Sequence, residues 1–216
     1  MSDAELYGVA YVRGEKIATY GEDDGTDRAT LDLKTPVLLD PTRHDSKPTG
    51  NEVAAISRRI IQPAHLYRPN VETLAKAISC GYTVCGGICV GKRSPNCWKS
   101  QQLWCIDIDN DAATKERGYD PLPYTEAVLR AFRANLPLVI SYLTFSSSPD
   151  PYCPADSERY RLMFRRGAET SDPEEAAAFG AALLATYPEA DQSTAQSNRL
   201  FFGTDKEVLA WNRPLV

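Results

Sequence analysis

Asp107 and Asp109 stand one residue apart at the end of the apolar run Trp104-Cys105-Ile106, with Asn110 and Asp111 directly behind them. In a β-strand, residues i and i+2 project from the same face. The two carboxylates would then lie side by side, about 6–7 Å apart by strand rise. Like charges so placed repel, and a divalent cation relieves the repulsion. Hard carboxylate oxygens that leave room for phosphates suit Mg²⁺ or Mn²⁺. Aspartates also gather at strand ends for turn chemistry, which is the plainer reading of the pair.

Two later segments carry matching chemistry. Arg159-Tyr160-Arg161 would put two guanidiniums on one strand face, and arginine binds phosphate bidentately while staying charged at any working pH. Asp191 could supply a third carboxylate, and Arg199 follows eight residues on, in Arg199-Leu200-Phe201-Phe202-Gly203. Acids that hold a metal, beside bases that hold phosphates, are the parts of a phosphoryl-transfer site. Ser146 and Ser147 could add hydroxyl donors to phosphate, or simply belong to a linker. Residues 73–106 contain no Asp or Glu but do contain Lys76, Lys92, Arg93 and Lys99. Arg93 and Lys99 could therefore approach a nucleic-acid template, or form an exposed basic loop. Gln101 and Gln102 could line the same site. Tyr142 and Phe145 could stack on a base or pack in the core. His44 and His65 lie in no recognisable motif and read as surface or packing residues.

The elements that must position these groups follow from pattern. Residues 7–20 read as a hairpin turning at Arg13-Gly14-Glu15. Residues 21–51 read as a long polar surface excursion around the short apolar stretch Pro36-Val37-Leu38-Leu39. Residues 52–61 have helical spacing and stop before Pro63. Asn70 can cap a helix that runs to Ile78, with Gly81 just past its end. Residues 82–90 read as a buried strand interrupted by Gly86-Gly87, 91–100 as a basic loop and 103–108 as the strand that delivers the aspartates. Residues 121–136 have an amphipathic helical period, 138–145 a β-rich composition and 146–151 the composition of a loop. On 158–164, Arg159 and Arg161 would share one face and Tyr160 and Leu162 the other. Asp172-Pro173-Glu174-Glu175 is a helix start, with the helix running to about Thr186. Residues 199–202 read as a short strand closed by Gly203. Strands and helices interleave with hairpins, so the expected class is α/β or α+β with a mixed sheet, in one domain over residues 1–216. No internal repeat is visible. Gly86-Gly87 is no phosphate loop, because nothing like G-x-x-x-x-G-K-[ST] is present.

The ordered set resembles the archaeo-eukaryotic primase superfamily, and within it the primase–polymerase modules of phage and plasmid replication proteins. The likeness rests on Ile106-Asp107-Ile108-Asp109-Asn110, Ser141-Tyr142-Leu143-Thr144-Phe145-Ser146-Ser147, Arg159-Tyr160-Arg161-Leu162-Met163-Phe164, Asp191 and Arg199-Leu200-Phe201-Phe202-Gly203. It spans about residues 75–203, with 1–74 supplying a hairpin, loop and helix that complete the domain. The resemblance implies an RRM-like catalytic sheet flanked by helices. It implies metal binding and catalysis by Asp107, Asp109 and Asp191, and nucleotide binding by Arg159, Arg161, Arg199, Ser146 and Ser147. Arg93 and Lys99 would contact DNA. The implied activity is template-directed nucleotidyl transfer with Mg²⁺ or Mn²⁺, on single-stranded DNA with nucleoside triphosphates. No Walker motif is present, so any helicase of the same replication system would be a separate partner protein or a C-terminal extension of this chain. Where many members carry Ser-x-His on the second catalytic strand, this chain has Arg159-Tyr160-Arg161. That departure leaves two other readings open: a non-catalytic replication-initiation or nucleic-acid-binding protein on the same fold, and a metal-dependent nuclease or phosphohydrolase.

Bulk properties set the outer bounds. A chain of 216 residues, 43% hydrophobic and 25% charged, has ordinary globular composition. Its net charge of −5 argues against a protein that merely coats nucleic acid. No apolar run approaches the roughly 20 residues that span a bilayer. The polar, acidic start is unlike a secretory signal, so a cytoplasmic setting is expected, that of the host if the chain is phage- or plasmid-encoded. Cys80, Cys85, Cys89 and Cys97 lie close enough in sequence to raise structural zinc, yet no C-x-x-C occurs and their spacing fits no common ribbon or finger. Reduced, buried thiols are the alternative, and Cys105 is expected to face the core.

Overall fold

A computed structural model of the protein describes residues 7–20, 34–147 and 158–212. The elements are β1 (Tyr7–Val12), β2 (Glu15–Tyr20), β3 (Val37–Arg43), α1 (Asn51–Arg59), β4 (Leu66–Tyr67), α2 (Val71–Ser79), β5 (Tyr82–Cys85), β6 (Gly87–Cys89) and β7 (Trp98–Ile108). They continue with α3 (Ala112–Glu116), α4 (Tyr124–Arg133), β8 (Leu138–Leu143), β9 (Tyr160–Thr170), α5 (Pro173–Thr186) and β10 (Val208–Asn212). Seven strands form one sheet in the order β2-β1-β10-β8-β9-β7-β6, and three form a second, β4-β3-β5. No helix among the described residues is long and apolar enough to cross a membrane.

The class is α+β, and the expected mixed sheet is corrected: every neighbouring pair in the large sheet is antiparallel. The reason is topological. β7 and β8 run parallel, but β9 lies between them. β9 and β10 run parallel, but β8 lies between them. Each helical crossover therefore straddles a strand instead of joining two neighbours.

Alternation along β7 distributes the core. Trp104, Ile106 and Ile108 face α4 and α5, in a cluster with Tyr160, Leu162, Phe164, Ala131 and Leu183. Trp104 stacks on Phe179 of α5 with ring centroids 4.6 Å apart. Leu103 and Cys105 face the other way, toward α2 and the small sheet, with Met163, Tyr142, Ile78 and Phe201. The odd-numbered face of β7 and β9 is therefore the one on which Asp107 and Arg161 sit, opposite each other in register. Tyr160 and Leu162 take the other face, as their alternation with Arg159 and Arg161 predicts.

Several boundaries differ from expectation. The stretch at 36–39 is no surface excursion: Val37 and Leu38 are buried in β3, the centre of the small sheet. Its flanking Pro36 and Pro41 obscure it. β7 begins at Trp98, inside the expected basic loop. Residues 199–202 make only a single bridge, Phe201 to Val84, while β10 was not foreseen. The hairpin, the helix capped by Asn70 and the helix start at Asp172 stand as expected. Asn70 accepts from Thr73 N, and Asp172 accepts from Glu174 N and Glu175 N. Residues 21–33 of the expected 21–51 excursion, and 148–157 beyond Ser147, lie outside the described residues.

Gly87 shows why the strand over 82–90 is broken. A Cβ there would meet the carbonyl oxygen of Ser197 at 1.9 Å. Backbone can approach that closely only at glycine. Gly87→Ala is expected to push residues 197–199 off β6 and destabilise the chain by about 1–3 kcal/mol, the usual cost of overpacking. The urea midpoint measures this, and an unchanged midpoint would show that the approach is not required.

Candidate active site

The acidic run at 107–111 separates into distinct jobs. Asp107 is the last inward residue of β7 and is 4% exposed. Asn110 takes a left-handed conformation (φ 46°) and closes the turn through a two-way amide contact with Leu122. Asp111 caps α3 by accepting from Thr114 N. Only Asp107 and Asp109 remain for chemistry.

Arg161, opposite Asp107, grips it side-on: Nε to Oδ1 and Nη2 to Oδ2, both 3.2 Å. Its Nη1 donates to the Phe202 carbonyl at 2.6 Å, which also accepts from the Tyr142 hydroxyl at 3.2 Å. Both charged side chains are buried, and the guanidinium lies near the Tyr142 and Phe201 rings. Burial alone would lower the Arg161 pKa, but the Asp107 charge outweighs it and the net direction is up. With all three nitrogens engaged, Arg161 positions Asp107 and has no free edge for a phosphate.

Asp191 arrives at the same place from the far end of α5. Its backbone N–H donates to the Asp107 carbonyl at 2.9 Å. Its Oδ1 accepts from Ser193 N and Oγ at 2.9 and 2.8 Å. Its Oδ2 accepts from Arg199 Nη2 at 2.8 Å, and the same nitrogen lies 3.7 Å from Asp107 Oδ2. Burial raises the Asp191 pKa, but the Ser193 and Arg199 contacts outweigh it and hold the carboxyl below its ordinary value.

Asp109 differs. No arginine or lysine among the described residues lies within ion-pair distance of it. Burial and then the Asp107 charge push its pKa up, against the more distant pull of Arg159, Arg161 and Lys47. Ser147 Oγ accepts from Arg159 N at 3.2 Å and so fixes the backbone behind that arginine. Ser146 is exposed.

The remaining candidates have other work. Arg93 donates to Ser57 Oγ and to the carbonyl of Asn198, so it anchors the backbone next to Arg199. Lys99 is exposed at the start of β7. Gln101 and Gln102 bond to backbone carbonyls of Leu103, Arg166 and Gly167. Tyr142 is fully buried. Cys85 donates to Gly87 and Ser197 carbonyls, and burial pushes its pKa up to about 12. Cys89 donates to the Ser94 carbonyl, and burial raises its pKa too. In the metal-free chain both are held as protonated thiols. Cys105 is buried toward the core, as expected.

Sequence reasoning missed Lys47 and Ser193. The string Asp191-Gln192-Ser193 carries a signal for the second, since aspartate bonds the backbone two residues on in an Asx turn. Lys47 carried none.

The three carboxylates supply donors of the right kind for Mg²⁺ or Mn²⁺. Among the described residues no three His, Cys, Asp or Glu side chains already converge on one point. What stands between Asp107 and Asp191 is the Arg199 guanidinium. A cation is thus accommodated there, and its present occupant is a side chain. No family model, curated protein or solved structure matches this chain.

Proposed function

We propose that this site performs metal-dependent, template-directed nucleotidyl transfer on single-stranded DNA, as a primase–polymerase module with an RRM-like core. The observation that carries the reading is the meeting of Asp191 with Asp107 across 84 residues of chain, through a backbone bond and a shared guanidinium. The element order β7-α3-α4-β8-β9-α5-β10 follows a β-α-β-β-α-β run with one added short helix, and differs from an RRM sheet in seating its last strand, β10, beside β8 and not beside β7.

Asp107, Asp109 and Asp191 would hold the divalent ions, Mg²⁺ or Mn²⁺. Bound there, such ions lower the pKa of an attacking 3′-hydroxyl and neutralise charge on the leaving pyrophosphate. Arg161 keeps Asp107 in place. Arg199 and Arg159, at the rim, orient the triphosphate, and Lys47 adds positive charge on the Asp109 side. Arg93 holds the backbone from which Arg199 projects.

The test is nucleotide incorporation on primed and unprimed single-stranded DNA with Mg²⁺ or Mn²⁺. Wild type is expected to extend and Asp107→Ala/Asp109→Ala to fall to background. Equal activity in the double variant would remove these aspartates from the reaction. A chain that binds single-stranded DNA but never incorporates nucleotides would favour the non-catalytic reading, which the full engagement of Asp107 by Arg161 supports. Loss of labelled template in the same assay would favour the nuclease reading.

A further inference from the structure

We infer that Arg199 is a latch: it closes the Asp107–Asp191 pair in the unliganded chain, and only a polyanionic ligand, the polyphosphate of a nucleotide, draws it away so that a divalent cation can enter. The inference rests on the proposed metal site. It adds that metal and nucleotide load together.

The two arginines at the site are unequal. Arg161 is 7% exposed and fixed by three nitrogens, so it cannot leave without unmaking the core around Tyr142 and Phe202. Arg199 is 27% exposed, and a single nitrogen makes both its carboxylate contacts, at 2.8 Å to Asp191 and 3.7 Å to Asp107. Its backbone is pinned on both sides. Arg93 holds the Asn198 carbonyl, and the Phe201–Val84 bridge follows. Opening therefore needs only side-chain rotation, on a stem with several free torsions.

Charge explains the required ligand. The Arg199–Asp191 pair lies partly open to solvent, at 27% and 36% side-chain exposure, where such pairs contribute little net stability, so a competing anion can take the guanidinium, and phosphate does so bidentately. A neutral ligand offers it no replacement charge. Two carboxylates, Asp107 and Asp191, share Arg161 and Arg199 at the centre of the site, and Asp109 beside them feels the more distant Arg159, Arg161 and Lys47. Once Arg199 turns to a polyphosphate, the Asp191 carboxylate loses its ion-pair partner and Asp107 keeps only Arg161. A divalent cation takes the place of the lost guanidinium, its second charge meeting the polyphosphate that arrives with it. The coupling is reciprocal: whatever factor the nucleotide adds to metal affinity, the metal adds to nucleotide affinity.

The latch also bears on why no three donors converge among the described residues, since Asp107 and Asp191 are held by arginines until the ligand arrives. The test needs no catalysis. Binding of Mn²⁺ alone, without nucleotide, is measured by electron paramagnetic resonance and calorimetry on wild type, Arg199→Gln and Arg199→Lys. The Gln variant removes the competing charge. The Lys variant keeps a charge but shortens its reach, and stands in if the Gln variant fails to fold. Wild type is expected to bind Mn²⁺ weakly and the unlatched variants about tenfold more tightly, within the usual range of coupling between sites. Mn²⁺ binding that is equal or weaker in the variants would overturn the latch and leave the metal site standing. No Mn²⁺ binding by any of the three proteins would overturn the metal site and the latch with it.

Discussion

Asp107→Leu is expected to destabilise the chain by about 3–5 kcal/mol, the usual cost of leaving one member of a buried ion pair without its partner. The double variant Asp107→Leu/Arg161→Met is expected to return to within about 1–2 kcal/mol of wild type, because well-packed apolar residues often replace a buried pair at little cost. The surroundings favour that recovery. The side chains of Arg161 and Asp107 are only 7% and 6% exposed, on a face already lined by Cys105 and Met163. Removing Arg161 does not orphan the Phe202 carbonyl either, since the Tyr142 hydroxyl still donates to it. Urea unfolding of the four proteins in the cycle measures the coupling. A single-variant loss below 1 kcal/mol would show that water reaches the pair and that it holds nothing together. Both variants should be inactive in nucleotide incorporation, so the double variant separates a folded chain from a working site.

Asp109→Asn should do the reverse. Incorporation is expected to fall at least 100-fold, since even outer-shell partners of metal ligands reach losses of 10- to 100-fold, whereas stability in metal-free buffer at pH 7 should rise. The sign follows from linkage. The ordinary value of this carboxyl is 3.8, and burial with the Asp107 charge raises it in the folded chain. Between the two values the folded chain keeps a proton that the unfolded chain has released. Wild-type stability attributable to Asp109 therefore falls as pH climbs from 3.8 through the raised value, and the penalty is complete above it. Asparagine carries no such penalty. The variant's advantage should vanish below pH 3.8 and be largest above the window. Chemical denaturation across pH 3–8 with a chelator present decides this, and a variant less stable than wild type at pH 7 would mean that Asp109 makes a stabilising contact after all.

These two variants also mark what the sequence could and could not disclose. Alternation along 103–108 and 160–164 follows from the residue types and was legible, whereas Asp109 falls just past the end of β7 and Arg159 just before the start of β9, where alternation no longer fixes a face. That Arg161 would spend all its nitrogens on Asp107 and Phe202 was not, because cross-strand register depends on β9 inserting between β7 and β8. Arg93 reads as a free cation in a basic segment, yet its acceptor lies 105 residues away. Long-range pairings of this kind leave no local periodicity to read. β3 was missed because prolines flank its short apolar stretch, and β10 because four apolar residues, 208–211, are too few to carry a period. The caps at Asn70 and Asp172 were legible because their chemistry is local.

One pairing bears on how the molecule is made. β10 joins β8 on one side and β1 on the other, with Tyr7 opposite Asn212. During synthesis the hairpin of β1 and β2 emerges long before its partner strand β10. Until then the edges of β8 and β1 that β10 fills stand open, each able to recruit a foreign strand. Contacts of such separation close slowly. The nascent chain thus passes through a stage in which aggregation competes with closure, and expression at lower temperature or with holdase chaperones should favour the closed sheet.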